Sequence, residues 1–178
     1  MDRIRLHDLK RVSSYIQKDL DKAYKDTIQE ACYLRGSAVQ EFEKQWTEYT
    51  GAEDCCALTS GTDALHTAAM LTGVGPGDEV IMPAHGFIAS IGPWLHTGAT
   101  IKYVDCKVSD YCIDEDKIEA QITDKTKVIL WIDINGQTPD VDRILVIAKK
   151  HNLTTVEDAA PSAGASYKNR KVGTLADI

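Results

Sequence analysis

No apolar run in this sequence approaches the ~20 residues that a membrane-spanning helix requires. The opening residues, Met1-Asp2-Arg3-Ile4-Arg5-Leu6-His7, lack the apolar stretch of a secretory leader. Positive charge is in short supply: 20 Lys and Arg stand against 27 Asp and Glu, for a net charge of −7. No basic stripe is left to follow a nucleic acid backbone. Neither G-x-x-x-x-G-K-[ST] nor a G-x-G-x-x-G after a strand occurs, so P-loop and dinucleotide readings have no motif. There is no C-x-x-C pair either. The five cysteines are Cys32, Cys55, Cys56, Cys106 and Cys112. Cys55-Cys56 falls in an apolar stretch, where free cysteine behaves as a small hydrophobe. This argues against a disulfide framework and a zinc site, and it predicts a reducing, cytoplasmic setting. The histidines, His7, His66, His85, His96 and His151, show no metal-ligand spacing and support no Ser/His/Asp triad.

What is present is an alternation. At 178 residues and 43% hydrophobic content the chain can bury a sizeable core. Residues 9–33 read as a helix with Val12, Ile16, Leu20, Ala23, Tyr24 and Ile28 on one stripe. Ser37-Ala38-Val39-Gln40 has the form of a capping box. Val39, Phe42, Trp46 and Tyr49 then make one helical face, which Gly51 closes. Strands are predicted at 55–58, 79–82, 100–104, 127–132 and 153–156. Helices are predicted between them at 63–71, 87–96, 115–122 and 141–151. Such an order means βαβ units, an α/β fold with a mostly parallel sheet and helices on both faces. The division expected is a helical segment over 1–36 and a sheet domain over 37–178. Val172 to Ile178 carries no end signal and reads as a loop entering another strand, so the sequence is expected to be an incomplete piece.

Two short motifs carry the chemistry. Leu58-Thr59-Ser60-Gly61-Thr62-Asp63 reads as a strand end, a small-residue turn and a helix start. A helix N-terminus presents unpaired N–H groups and a positive dipole end to a phosphate. Gly61 lets the anion approach closely, and Ser60 and Thr62 add hydroxyls. Taken alone, Ser60 or Thr62 as a simple helix cap is the preferred reading. Val156-Glu157-Asp158 reads as a strand delivering a carboxylate at its C-terminal edge, where ligands of parallel sheets gather. Asp158 there can keep a pyridine nitrogen protonated; its plain alternative is a cap. Glu157 should point the other way and serve structure. Phe87 follows another strand on the same edge and can stack on a flat ring or fill the core. Asp105 and Asp133 also follow strands, and His85 lies nearby in a loop. Together these features supply two thirds of a pyridoxal 5′-phosphate site. The third element, a lysine to hold that cofactor as a Schiff base, is not recognisable.

On these motifs and their order the chain resembles the DegT/DnrJ/EryC1/StrS sugar aminotransferases, of fold-type-I pyridoxal-phosphate architecture. The text that carries the resemblance includes Thr59-Ser60-Gly61-Thr62-Asp63-Ala64-Leu65, Gly75-Pro76-Gly77-Asp78-Glu79-Val80-Ile81, Asn135-Gly136-Gln137, Glu157-Asp158-Ala159-Ala160 and Tyr167-Lys168 through Val172-Gly173-Thr174. The resemblance implies that Gly61 and Thr62 bind the cofactor phosphate, Phe87 stacks on its ring and Asp158 pairs with the ring nitrogen. It implies transfer of an amino group, commonly from glutamate, to a nucleotide-linked keto-sugar, by a homodimer with no nucleic acid or membrane partner. Three departures stand out. Pro161 replaces the family's usual Gln or His, Asp133 stands where His is frequent, and Lys168 and Lys171 lie before the segment expected to carry the Schiff-base lysine. Two further readings remain open: a sugar dehydratase of the same family, using the amine form of the cofactor, and a non-catalytic remnant of the fold.

Overall fold

A computed structural model of the chain describes residues 8–178. The reading of the opening residues and His7 therefore lies outside what it describes. Helix α1 (Leu9–Tyr15) and helix α2 (Gln17–Glu30) form the N-terminal segment. The single helix expected over 9–33 is thus broken at Ile16. The Ser14 hydroxyl bonds back to the Arg11 carbonyl at 2.6 Å and competes with helix continuation. The apolar stripe of this segment stays largely in water: Val12, Ile16, Leu20, Tyr24 and Ile28 are all exposed.

Helix α3 (Ser37–Thr50) corrects the expected capping box. Its N-cap is Gly36. Ser37 instead gives both its N–H and its hydroxyl to the Glu30 carboxylate, at 3.1 and 2.9 Å. A carboxylate from the preceding helix, invisible to local spacing, satisfies that end. Gly51 closes α3 with φ 77°, as the pattern required.

Four parallel strands make the sheet, in the order β2-β1-β3-β4. They are β1 (Glu79–Pro83), β2 (Thr100–Val104), β3 (Thr126–Ile132) and β4 (Thr154–Asp158). Alternation along β3 splits its side chains between two cores. Val128, Leu130 and Ile132 pack with Leu65, Ala68 and Ala69 of helix α4 (Gly61–Leu71) and Trp94 of helix α5 (Gly92–His96). Ile129 and Trp131 pack on the opposite face with Ile118 of helix α6 (Glu115–Ile118) and Val141, Ile144 and Ile147 of helix α7 (Val141–His151). The sheet is therefore covered on both faces. Each strand's C-terminal end is brought to one edge, as parallel pairing requires.

The strand expected at 55–58 does not form. A strand needs a ladder, and this segment has none. Its Ala57 N–H goes to the Glu43 carboxylate at 2.8 Å and its Cys55 N–H to Asp54 at 2.8 Å. Cys56 is exposed rather than buried in a strand. The helix expected over 87–96 divides into a 3-10 turn, Ile88–Ser90, and α5, with Pro93 in the first turn of α5. A hairpin of β5 (Ser166–Tyr167) and β6 (Arg170–Lys171) adds a second, two-stranded sheet beyond the strands the pattern predicts. Its turn residues Lys168 and Asn169 both take positive φ, the geometry of a two-residue hairpin turn. Ile178 lies along the open side of β4, donating to Thr155 at 3.2 Å and accepting from Glu157 at 2.9 Å.

Candidate functional site

The site is built on the N-terminus of α4. Ser60 caps this helix: its hydroxyl accepts from the Asp63 N–H at 3.1 Å. The plain capping reading of Ser60 thus holds for its acceptor side, and its O–H remains available to donate. The Thr59 hydroxyl donates to the Asp63 carboxylate and ties the turn to the helix. Capping leaves the Gly61 and Thr62 amides without an intrahelical acceptor, because the first turn of a helix has none. A Cβ placed at Gly61 would meet nothing within 4 Å, so the space before those amides is open. An acceptor-rich anion fits there, favoured by the dipole of an 11-residue helix.

Asp158 ends β4 and is buried, 7% exposed. One carboxylate oxygen accepts from the Ser90 hydroxyl at 2.5 Å, the other from the Ala160 N–H at 3.3 Å. Phe87 stands on the rim, 71% exposed, a ring free to cover a flat ligand. Ser60, Gly61, Thr62, Phe87 and Asp158 all line one cleft of about 970 Å³. Its walls come from the 55–58 segment, Phe42 and Trp46 of α3, Ile132 and Ile134, and residues near Pro161 and Gly173. Most of these are apolar, a setting that strengthens the few charges inside it. The aromatic wall from α3 was not foreseen from the sequence, where Phe42 and Trp46 read only as a helix face.

Other expected neighbours fall elsewhere. Asp105 is turned to a loop, accepting from the Cys106 N–H at 2.9 Å. His85 is exposed and lies edge-on to Tyr111 at 6.2 Å. Among the described residues no lysine lines the cleft. Lys168 pairs with Asp142 at 2.6 Å, and Lys171 sits over the Tyr49 ring at 4.6 Å. Pro161 does line the cleft and brings no side-chain donor to it.

Asp133 and Glu157 form an acid pair beside the site; Glu157, expected to point the other way, also contributes to the lining of the cleft, while Asp133 does not. Asp133 is fully buried; one oxygen takes the Ser162 hydroxyl at 2.8 Å, and the other has no hydrogen-bond partner among the described residues. Glu157 accepts from the Gly173 and Leu175 N–H groups at 2.9 and 3.0 Å, while its second oxygen has no partner among the described residues. The structural role read for Glu157 is therefore visible: it fastens the 173–175 loop to β4. Burial, with the Asp133 charge adding to it, raises Glu157 from its ordinary 4.5 to about 7. Burial raises Asp133 as well. A carboxyl whose pKa is raised on folding binds its proton more tightly in the native state. Its contribution is complete below pH 4.5 and is lost as pH rises through about 7. Folding stability should therefore fall by about 1–3 kcal/mol between those limits. Glu157→Gln should flatten that slope, as read from urea midpoints taken at several pH values.

No helix among the described residues is long and apolar enough to cross a membrane. Residues 14–178 match the model of the DegT/DnrJ/EryC1/StrS aminotransferase family. The chain is 38% identical over 170 residues to the dTDP-3-amino-3,6-dideoxy-alpha-D-galactopyranose transaminase of Aneurinibacillus thermoaerophilus. That alignment covers 96% of this chain and 47% of the relative. It superposes with a TM-score of 0.95 on S. venezuelae DesV in complex with a ketimine intermediate, at 33% identity, covering 98% of this chain and 47% of that one. With Spr1654 of Streptococcus pneumoniae in its PLP form the TM-score is 0.81 and the identity 33%, over 85% of this chain and 43% of that one. The chain thus spans about half the length of the relatives it matches.

Proposed function

The chain belongs to the DegT/DnrJ/EryC1/StrS aminotransferase family, and we propose that its cleft is the coenzyme half of a pyridoxal-phosphate-dependent sugar aminotransferase. The reaction is transfer of an amino group from an amino acid, glutamate on the family resemblance, to a nucleotide-linked keto-sugar. One observation carries this reading. An open helix N-terminus, a buried carboxylate and an exposed aromatic ring meet at a single cleft. The donor set matches the coenzyme group by group: amides and hydroxyls for a phosphate, a carboxylate for a pyridinium, a ring face for a ring.

Pyridoxal phosphate, when bound, supplies the electron sink for amino-group exchange. The chain's residues position it and tune it. The Gly61 and Thr62 amides, with the Thr62 hydroxyl, hold the phosphate. Asp158 holds its negative charge against the protonated ring nitrogen. Phe87 covers one ring face and keeps water from it. The Schiff-base lysine belongs, on this reading, to a longer protein in which this chain is the coenzyme-binding part. The setting is cytoplasmic.

The test is to supply that full-length protein with the coenzyme, L-glutamate and a nucleotide-linked keto-sugar, and to follow 2-oxoglutarate and amino-sugar. Equal amounts of the two support the reading. A deoxygenated keto-sugar formed with 2-oxoglutarate and free ammonia, and without amino-sugar, would identify the dehydratase instead, because glutamate then supplies the two electrons that replace the hydroxyl and its nitrogen leaves as ammonia; no product of either kind would contradict both.

The proposal extends to a homodimer. The exposed stripe of Val12, Ile16, Leu20, Tyr24 and Ile28 is apolar surface that a soluble monomer would leave in water. Sedimentation at micromolar concentration should give a dimer. Leu20→Asp with Ile28→Asp should shift it to monomer, and a monomeric parent protein would count against the extension.

A further inference from the structure

We propose that Ser90 is a positioning residue that sets the Asp158 carboxylate for its work on the coenzyme. This rests on the reading of the cleft given above. Ser90 is fully buried and ends the 3-10 turn that begins just after Phe87. That turn therefore delivers the ring to the cleft and, three residues on, a hydroxyl to the rear of the carboxylate. The Ser90 hydroxyl lies 2.5 Å from Oδ2 of Asp158 across 68 residues of sequence. Ser90 does not line the cleft, whereas Asp158 does. It acts on the site only through Asp158.

The chemistry follows from the donor inventory. An ionised carboxylate only accepts, so the hydroxyl must donate, and the bond is charge-assisted. Bonds of this kind at the two oxygens, from Ser90 and from the Ala160 N–H, fix the plane of the carboxylate. Its remaining lone pairs are then directed to the cleft. Without Ser90, Oδ2 has no protein donor among the described hydrogen bonds, and the carboxylate is held through Oδ1 alone, by the longer bond from the Ala160 N–H. A coenzyme nitrogen facing it would meet a charge that is less firmly placed.

The experiment uses the full-length protein with Ser90→Ala, Ser90→Cys and Ser90→Thr, each also in an Asp158→Ala background. Cysteine keeps the site filled while weakening the donor, so it serves if the alanine variant does not fold. Threonine keeps the hydroxyl. Amino-transfer kinetics and the absorption spectrum of the bound coenzyme against pH are both read. Ser90→Ala and Ser90→Cys should lower kcat roughly 10- to 100-fold with KM for the sugar little changed. The spectral transition of the coenzyme should move to lower pH, because its ring nitrogen loses a well-placed counter-charge. Ser90→Thr should restore both readouts. In the Asp158→Ala background none of the Ser90 changes should have further effect. Wild-type rate and spectrum in Ser90→Ala would overturn the inference, as would an equal loss with and without Asp158. If Asp158→Ala itself leaves turnover and spectrum unchanged, the coenzyme reading of the cleft fails instead.

Discussion

Asp158→Asn in the full-length protein should lower the rate of amino transfer on the order of 10²–10³-fold, with coenzyme retention changed far less. The substitution keeps the size and shape of the side chain and removes its charge. A neutral amide can still hydrogen-bond a ring nitrogen but no longer holds a proton there by charge, and the electron sink weakens at the step that needs it. Ser90 and the Ala160 N–H already occupy one lone pair on each oxygen, so the carboxylate arrives at the cleft oriented. Thr62→Ala should do the reverse. It removes a hydroxyl from the phosphate end, so coenzyme dissociates more readily while saturated turnover stays close to the parent's. Dissociation constants and saturated rates for both variants check the division. An Asp158→Asn protein turning over at the parental rate would remove Asp158 from its assigned role.

Trp131→Ala should cost about 3–5 kcal/mol of folding stability. Trp131 is fully buried near the C-terminal end of β3 and packs among Ile81, Val141, Ile144 and Leu175 on the side away from the cleft. Truncation opens a cavity that the surrounding strands cannot close, because β3 is held by neighbours on both sides. A domain is commonly stable by about 5–15 kcal/mol, so this one change threatens the fold. Val146→Ala, on the exposed face of α7, should shift stability by no more than ~0.5 kcal/mol. Urea midpoints for the two variants make the comparison, and similar midpoints would contradict the placement of Trp131 at the centre of that core.

The sheet was legible because β1 and β3 carry continuous apolar runs and short turns bound the strands. β1, β2 and β3 fall within a residue or two of the bounds read from pattern, and α7 falls on them. What escaped depends on partners distant in sequence. The 55–58 segment has strand-like residues, yet a strand exists only with a neighbour to bond, and its donors go to Glu43 and Asp54 instead. Ser37 looked like a cap until Glu30 took its hydrogen bonds. The β5–β6 hairpin turns on Lys168-Asn169, without the Asn-Gly that usually announces such a turn. In the cleft, Ser60, Gly61, Thr62 and Asp158 could be read because helix starts and strand ends have local signatures. Ser90 could not, since its partner lies 68 residues away. Its one local signal was its place three residues beyond Phe87.

A crystal structure of the protein with pyridoxal phosphate tests the central claim most directly. The account places the phosphate against the Gly61 and Thr62 amides at the start of α4, the ring under Phe87 and the ring nitrogen within hydrogen-bond distance of the Asp158 carboxylate. A phosphate bound elsewhere, or a ring nitrogen directed away from Asp158, would contradict it.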